Sequence, residues 1–347
     1  MAWTLGPFTP VPQPILEAAP ALPWASKHVF NPGAIVRDEK VHLLVRGEDT
    51  AGRFAGTSRI GVATSEDGVD FTLEPDAVLG PDDAWTDIER EGGCEDPRVV
   101  AVAPHGPFVC TYTGFDGRSP TLMVATSPDL RTWTKHGPAF ATSAYAAHTA
   151  KSGAIVTELR DGGLVAATVN GKYWMYWGEG TCFAATSDDL IRWTPLDYDA
   201  TGDRHLSFDD GRWRVHRTRG DRALRPLLSP RLGRFDSGLV EPGPPAIRTD
   251  DGIVLLYNGA NHPNRGDASL PALAYTPGQA LFDSLDPSAC VARTTEPFLR
   301  PTSEAEQRGQ VANVCFAQGL VAFKGEWRLY YGMADARIGC AVAPMDL

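Results

Sequence analysis

Short apolar runs rich in Val, Ile, Tyr, Phe and Trp alternate along the chain with Gly, Pro, Asp and Asn. That punctuation predicts β-strands joined by tight turns. No segment keeps a 3.6-residue apolar period long enough for a packed helix. One phrase recurs five times: a β-branched or aromatic run, then an aromatic residue or Arg, then Gly and a polar residue. It reads VHLLVRGED (41–49), FVCTYTGFD (108–116), KYWMYWGEG (172–180), IVLLYNGAN (253–261) and WRLYYGMAD (327–335). Its glycines, Gly47, Gly114, Gly178, Gly259 and Gly332, are 67, 64, 81 and 73 residues apart.

A second phrase follows the first three copies: GVATSEDGVDF (61–71), MVATSPDLRTW (123–133) and FAATSDDLIRW (183–193). Each is a strand ending in Ala-Thr-Ser, then a turn built on Asp, whose short side chain bonds its own backbone. Two phrases in one order at one period mark an internal repeat. A period of roughly 60–80 residues holds four short strands, which describes a propeller blade. The expected fold is therefore all-β, a five-bladed β-propeller. Residues 1–347 form one domain, with 1–27 an N-terminal extension packing on it. In such a fold the polar groups of different blades converge at the end of a central channel, where ligands bind.

Composition narrows the partners. Lys and Arg number 32 against 43 Asp and Glu, a formal charge of −11. That balance argues against nucleic acid or an anionic membrane, both of which need a clustered positive patch. The six cysteines show no C-x-x-C pair and sit in apolar runs, as buried reduced thiols do. No His–Cys spacing suggests a metal, and no cofactor is expected. The opening MAWTLGPFTPVPQP has neither a basic nor a long apolar region, and no run is long enough to span a bilayer. A cytoplasmic location is the expectation, and a homo-oligomer is compatible with the sequence.

The densest polar constellation is EREGGCEDPRVV (89–100). Asp96 there, beside Glu95 and Arg98, suits a general acid whose pKa its neighbours tune. The plainer reading is a turn that Asp96 caps while Arg98 pairs with Glu95. Glu241, before Pro-Gly-Pro-Pro, and Glu306, three residues before Gly309, are candidate bases or solvated loop residues. Lys151 leads an apolar run, as a sugar-binding or a surface Lys, and Asn31, Arg46, Asp49, Tyr112, Asn258, Asn313 and Asp335 stand at matching places in the repeat. They make either a sugar-binding pocket or blade-to-blade hydrogen bonds. No G-x-S-x-G elbow, Walker loop or H-E-x-x-H helix is present.

From about residue 28 to the C-terminus the chain resembles glycoside hydrolase family 130. The resemblance rests on FNPGAI (30–35), CEDPRVV (94–100), KSGAIV (151–156), NGKYWMYWG (170–178) and PGPPAI (242–247). It continues through LLYNGAN (255–261), QRGQVANVCF (307–316) and LYYGMAD (329–335). It implies a five-bladed propeller that cleaves β-linked mannosides with inversion, by phosphate or by water. It also implies that Asp96 is the general acid, passing its proton through a sugar hydroxyl. Asp96, Glu241, Asn258 and Asp335 are then expected to face one cavity.

The two branches of that family differ in charge. Phosphate needs positioned cations, whereas water needs a carboxylate to take its proton. Where the phosphorylases carry Arg-Pro and Tyr-His-Gly, this chain has Trp177-Gly178-Glu179 and Tyr257-Asn258-Gly259. Glu241 and Glu306 resemble the glutamates of the hydrolytic branch, so the expectation is a mannosidase acting on a small oligosaccharide, of β-1,2 type. The alternative is a phosphorylase using Arg46, Arg53, Arg59, Lys151 or Arg265. An arabinofuranosidase and a non-catalytic glycan-binding propeller are the further readings.

Overall fold

Residues 3–50, 56–198, 206–209, 212–215 and 223–345 are described in this computed structural model. The chain is nearly all β, and most strands among the described residues form five antiparallel four-stranded meanders, beside two short two-stranded ribbons. The first comprises His28–Arg37, Lys40–Glu48, Ser58–Ser65 and Thr72–Leu79. The second comprises Gly93–Ala101, Phe108–Phe115, Pro120–Ser127 and Thr134–Pro138. In the third, Ala154–Arg160 leads through short hairpin strands to Lys172–Trp177, Phe183–Ser187 and Thr194–Pro195. The fourth has a split first strand, Leu239–Pro242 and Ala246–Thr249, followed by Gly252–Ala260, Tyr275–Phe282 and Cys290–Arg293. The fifth, Cys315–Phe323, Glu326–Met333 and Arg337–Pro344, takes its outer strand from the N-terminus, Thr9–Pro10.

Each repeat glycine falls at the end of a second strand, and the structure gives two of them a reason. A Cβ on Gly47 would lie 2.5 Å from the Trp24 ring, and one on Gly332 would lie 2.1 Å from Asn31 Oδ1. The Ala-Thr-Ser phrase also folds as its residues dictate. Ser65, Ser127 and Ser187 accept backbone N–H bonds from two and three residues on. Asp67, Asp129 and Asp189 do the same in turn. Five of the six cysteines are buried thiols, while Cys290, on an outer strand, is exposed.

The buried apolar side chains form clusters that each join one meander to the next. Leu44 and Val62 meet Val99 and Cys110; Val109 and Val124 meet Ile155 and Met175; Tyr176 and Ala184 meet Leu255 and Tyr257. Val254 and Leu256 then meet Leu320 and Trp327, and Val321 and Tyr330 return to Leu43 and Val45 of the first. A narrow cavity is bordered by Ala34, Val99, Thr157, Pro245 and Leu320, one residue from each meander.

Buried backbone polar groups need partners; between neighbouring meanders side chains supply several, beside the parallel ladder of Val156–Glu158 on Ala246–Arg248. Thr111 Oγ1 donates to Gly153 O at 2.6 Å and Thr157 Oγ1 to Ala246 O at 2.7 Å. Asn258 accepts from Ala317 N at 2.8 Å and donates to Ala317 O at 3.0 Å. Gln318 Nε2 donates to Asn31 O at 2.7 Å and Pro97 O at 2.9 Å. All four side chains are fully shielded from solvent or nearly so. Among the described residues no helix is long and apolar enough to cross a membrane.

Asn258→Ala leaves both polar groups of Ala317 unpaired. The unfolding free energy in urea is expected to fall by roughly 2–4 kcal/mol. A variant as stable as the parent would show that this stitch is dispensable.

Candidate active site

The site is built on kinks in the first strands. The ladder slips between Phe30 and Gly33 and between Glu95 and Arg98, leaving Asn31-Pro32 and Asp96-Pro97 as two-residue bulges. Asn31 and Asp96 sit in the left-handed region, φ 44° and 48°, which Asn and Asp tolerate better than other side chains. A bulge turns a side chain out of the strand's alternation. Here it brings Asn31 Nδ2 to 3.0 Å from Asp96 Oδ1. Ser152, φ 62°, precedes the first strand of the third meander, and Glu241-Pro242 precedes the break in the fourth.

Around Asp96, which is 2% exposed, lies a network of charges. Arg46 Nη1 donates to Asp96 at 2.9 Å, and its Nη2 reaches Glu95 at 2.8 Å and Glu48 at 3.4 Å. Lys151 Nζ lies 3.3 Å from Glu241 Oε1, 3.7 Å from Glu179 and 3.8 Å from Asp96 Oδ2. Ser152 Oγ donates to Glu241, which is also buried. The Asp96 and Glu241 oxygens nearest Lys151 are therefore at most about 7 Å apart, an upper bound that reaches only the lower end of the roughly 6.5–9.5 Å separation of an inverting pair.

Burial opposes every charge here, and the neighbours decide which carboxyls keep a proton. For Asp96, Arg46, Lys151 and Arg98 overcome burial and hold the carboxyl well below the usual range. Burial pushes Glu95 up to about 7 against the pull of Arg46. It pushes Asp335 up to about 6, with Arg46 again opposing. Glu241 is likewise raised by burial, against Lys151. The ligand-free site thus favours Asp96 ionised, while burial raises the proton affinity of Glu95, Asp335 and Glu241.

A family model described as beta-1,4-mannooligosaccharide phosphorylase, that of glycoside hydrolase family 130, matches residues 16–347. The chain belongs to glycoside hydrolase family 130. It is an enzyme of a mannoside-processing family. It is 29% identical over 344 residues to 1,2-beta-oligomannan phosphorylase of Thermoanaerobacter sp. (strain X514), covering 96% of this chain and 95% of that one. It is similar to a glycosyl hydrolase from Bacteroides ovatus, at 42% identity and TM-score 0.89, covering 100% of this chain and 96% of that one. A further structure, at 41% identity, TM-score 0.89 and coverage of 99% and 96%, comes with a description of hydrolases within family 130. These target β-1,2 mannosidic linkages in Candida mannan.

Of the residues singled out in the sequence, this family 130 site brings together Asn31, Arg46, Asp96, Lys151 and Glu241. Asp335, φ 49°, joins them within electrostatic reach of Arg46 and Asp96. Others are corrected. Asn258 does not face the site, because its amide is spent on Ala317. Tyr112 lies in the core between the first two meanders and donates to Glu89 at 2.8 Å. Arg98 binds backbone carbonyls rather than Glu95, whose partner is Arg46.

Glu306 caps the helix Glu304–Gln307, accepting from Thr302 N, Ser303 N and Tyr331 Oη, so both its oxygens are occupied. Asn313 meets Tyr275 through its backbone carbonyl, Asp49 pairs with Arg59, and Arg265 contacts His262. Arg53 lies outside the described residues. Sequence reasoning missed Glu48, Glu179, Ser152 and Tyr275, the last lying within electrostatic reach of Glu241, Glu179 and Lys151. A usable signal existed: Asn31-Pro32-Gly33, Asp96-Pro97-Arg98 and Glu241-Pro242-Gly243 are one repeated polar-Pro element.

Glu95 supplies a pH test. Folded, it holds its proton to about pH 7, whereas the unfolded chain releases it near 4.5. Its contribution to stability is complete below about pH 4.5 and is lost as the pH rises through about 7. Glu95→Gln stays neutral, so its thermal midpoint should gain on the parent's between about pH 5 and 8. Parallel curves would contradict the raised Glu95 pKa.

Proposed function

We propose that this family 130 enzyme is an inverting β-mannoside hydrolase of β-1,2 type, built as one five-bladed propeller. Asp96 is its general acid and Glu241 its base. The cyclic order of the five apolar clusters, and the narrow cavity bordered by all five meanders, support the five-bladed reading. The similar structure associated with hydrolases of β-1,2 mannosidic linkages supports the substrate.

One observation carries the choice of water over phosphate. The cations at the site already have carboxylate partners: Arg46 has Glu48, Glu95 and Asp96, and Lys151 has Asp96, Glu179 and Glu241. A phosphate dianion would have to displace those partners and then sit among them. Each carboxylate about 4 Å away repels a unit charge by roughly 1–4 kcal/mol for effective dielectrics of about 80–20. Water meets no such opposition, and burial raises the proton affinity of Glu241, which makes it a stronger base.

As general acid, Asp96 must take up a proton with the sugar in place, because Arg46 and Lys151 hold the free carboxyl ionised. The second reading is phosphorolysis, the activity by which the Thermoanaerobacter relative is named. Arg46 and Lys151 would then have to leave their carboxylates for phosphate.

Cleavage of β-1,2-mannobiose should release mannose at a rate independent of phosphate from zero to tens of millimolar. Asp96→Asn and Glu241→Gln should each lower kcat by about 10²-fold or more. A rate that saturates with phosphate, with mannose 1-phosphate as product, would overturn the hydrolase.

A further inference from the structure

Arg98 is 1% exposed, and its guanidinium touches only backbone in the hydrogen bonds described. Nε donates to Gly243 O at 2.7 Å and Nη2 to Pro242 O at 2.7 Å. Nη1 donates to Asp96 O at 3.2 Å, the carbonyl of the acid's own bulge. Pro242 and Gly243 immediately follow Glu241. One side chain therefore spans from the second meander to the fourth and grips the backbone beside each of the two carboxylates assigned to the reaction.

The grip is hard to replace. A planar guanidinium presents its donors in a fixed fork, so three bonds to three carbonyls define both a distance and a plane. An ammonium on a flexible stem defines neither. The two backbones it joins are also constrained otherwise. Pro97 follows Asp96 and Pro242 follows Glu241, and Gly243 lies so close to Leu256 O and Ala317 O that a Cβ would approach them to 2.8 and 3.0 Å. Small errors in such a frame pass directly to the carboxyl groups it carries.

We infer that Arg98 is a positioning residue that sets the separation and mutual orientation of the Asp96 and Glu241 carboxyls. It does so by tying their two backbone segments together without touching the sugar. This rests on the acid and base assignments above. Misplacing a reacting group by about 1 Å costs on the order of 10²-fold in rate, and the loss should fall on kcat.

The test uses the full chain with Arg98→Lys and Arg98→Ala, assayed on β-1,2-mannobiose, alongside Asp96→Asn and Glu241→Gln. Both Arg98 variants should show kcat down by about 10²-fold with KM within about threefold of the parent. Guanidinium ion should restore part of the Arg98→Ala loss, and urea at the same concentration should not. An aryl β-mannoside with a good leaving group, which needs less help from the acid, should shrink the deficit.

A raised KM at unchanged kcat would make Arg98 a sugar ligand and overturn the inference. So would parental kinetics, or loss of soluble folded protein in both variants, which would assign Arg98 to folding alone. If Asp96→Asn and Glu241→Gln themselves keep activity, the acid and base assignment fails instead. If those two are inactive and Arg98→Lys is not, only the strut fails.

Discussion

Five first strands crowd together where water has little access, and their kinked backbones cannot pair fully with one another. That shortage of partners is the constraint from which the site follows. Each bulge that turns Asn31 or Asp96 toward its neighbours breaks a ladder and leaves carbonyls to be satisfied. Gln318 takes two of them, at Asn31 and Pro97, Thr111 and Thr157 take Gly153 and Ala246, and Arg98 takes Asp96, Pro242 and Gly243. An unmade buried hydrogen bond costs more than a made one contributes. The polar residues between the meanders are therefore as necessary to the fold as the apolar clusters around them.

This explains what the sequence revealed and what it concealed. The five glycine-marked runs are second strands, and the Ala-Thr-Ser turns fold through Ser65, Ser127 and Ser187 as short polar side chains dictate. Asp96, Glu241, Lys151 and Arg46 were also found from their surroundings in the chain. Asn258, Tyr112 and Arg98 were misread for one reason. A side chain that donates to a sugar hydroxyl is, in sequence, the same as one that donates inside the protein, to backbone carbonyls as Asn258 and Arg98 do or to the Glu89 carboxylate as Tyr112 does. Glu306 carried the information needed: Ser303 three residues earlier makes a capping box. The polar-Pro element at 31, 96 and 241 was legible, but it recurs in the first strands while the glycine phrase drew attention to the second.

Charge organises the site differently from a generic acidic cleft. Two cations, Arg46 and Lys151, stand among Glu48, Glu95, Asp96, Glu179 and Glu241, and Asp335 lies nearby. The cations do not spread evenly. Both lie within 4 Å of Asp96, which is held low, while Glu95 and Glu241, each ion-paired with one of them, are raised by burial. Carboxyl groups of one chemical type are thereby given different affinities for a proton by burial and by the balance of cations and carboxylates around each.

The outer strand of the last meander is Thr9–Pro10, bonded to Val342 and Ala341, and Trp24 fills the space above Gly47 and Gly61. A ribosome releases the first of these segments long before it makes the partner of Thr9–Pro10. Thr9–Pro10 must wait, unpaired, until Ala341 and Val342 have emerged. Contacts of such long sequence separation form slowly, and an edge left open meanwhile invites pairing with other nascent chains. The brevity of that strand, two residues ending in a proline that offers no N–H, makes it a poor template for such encounters. The same feature that lets the two termini finish one sheet thus keeps the early chain from finishing it with a stranger.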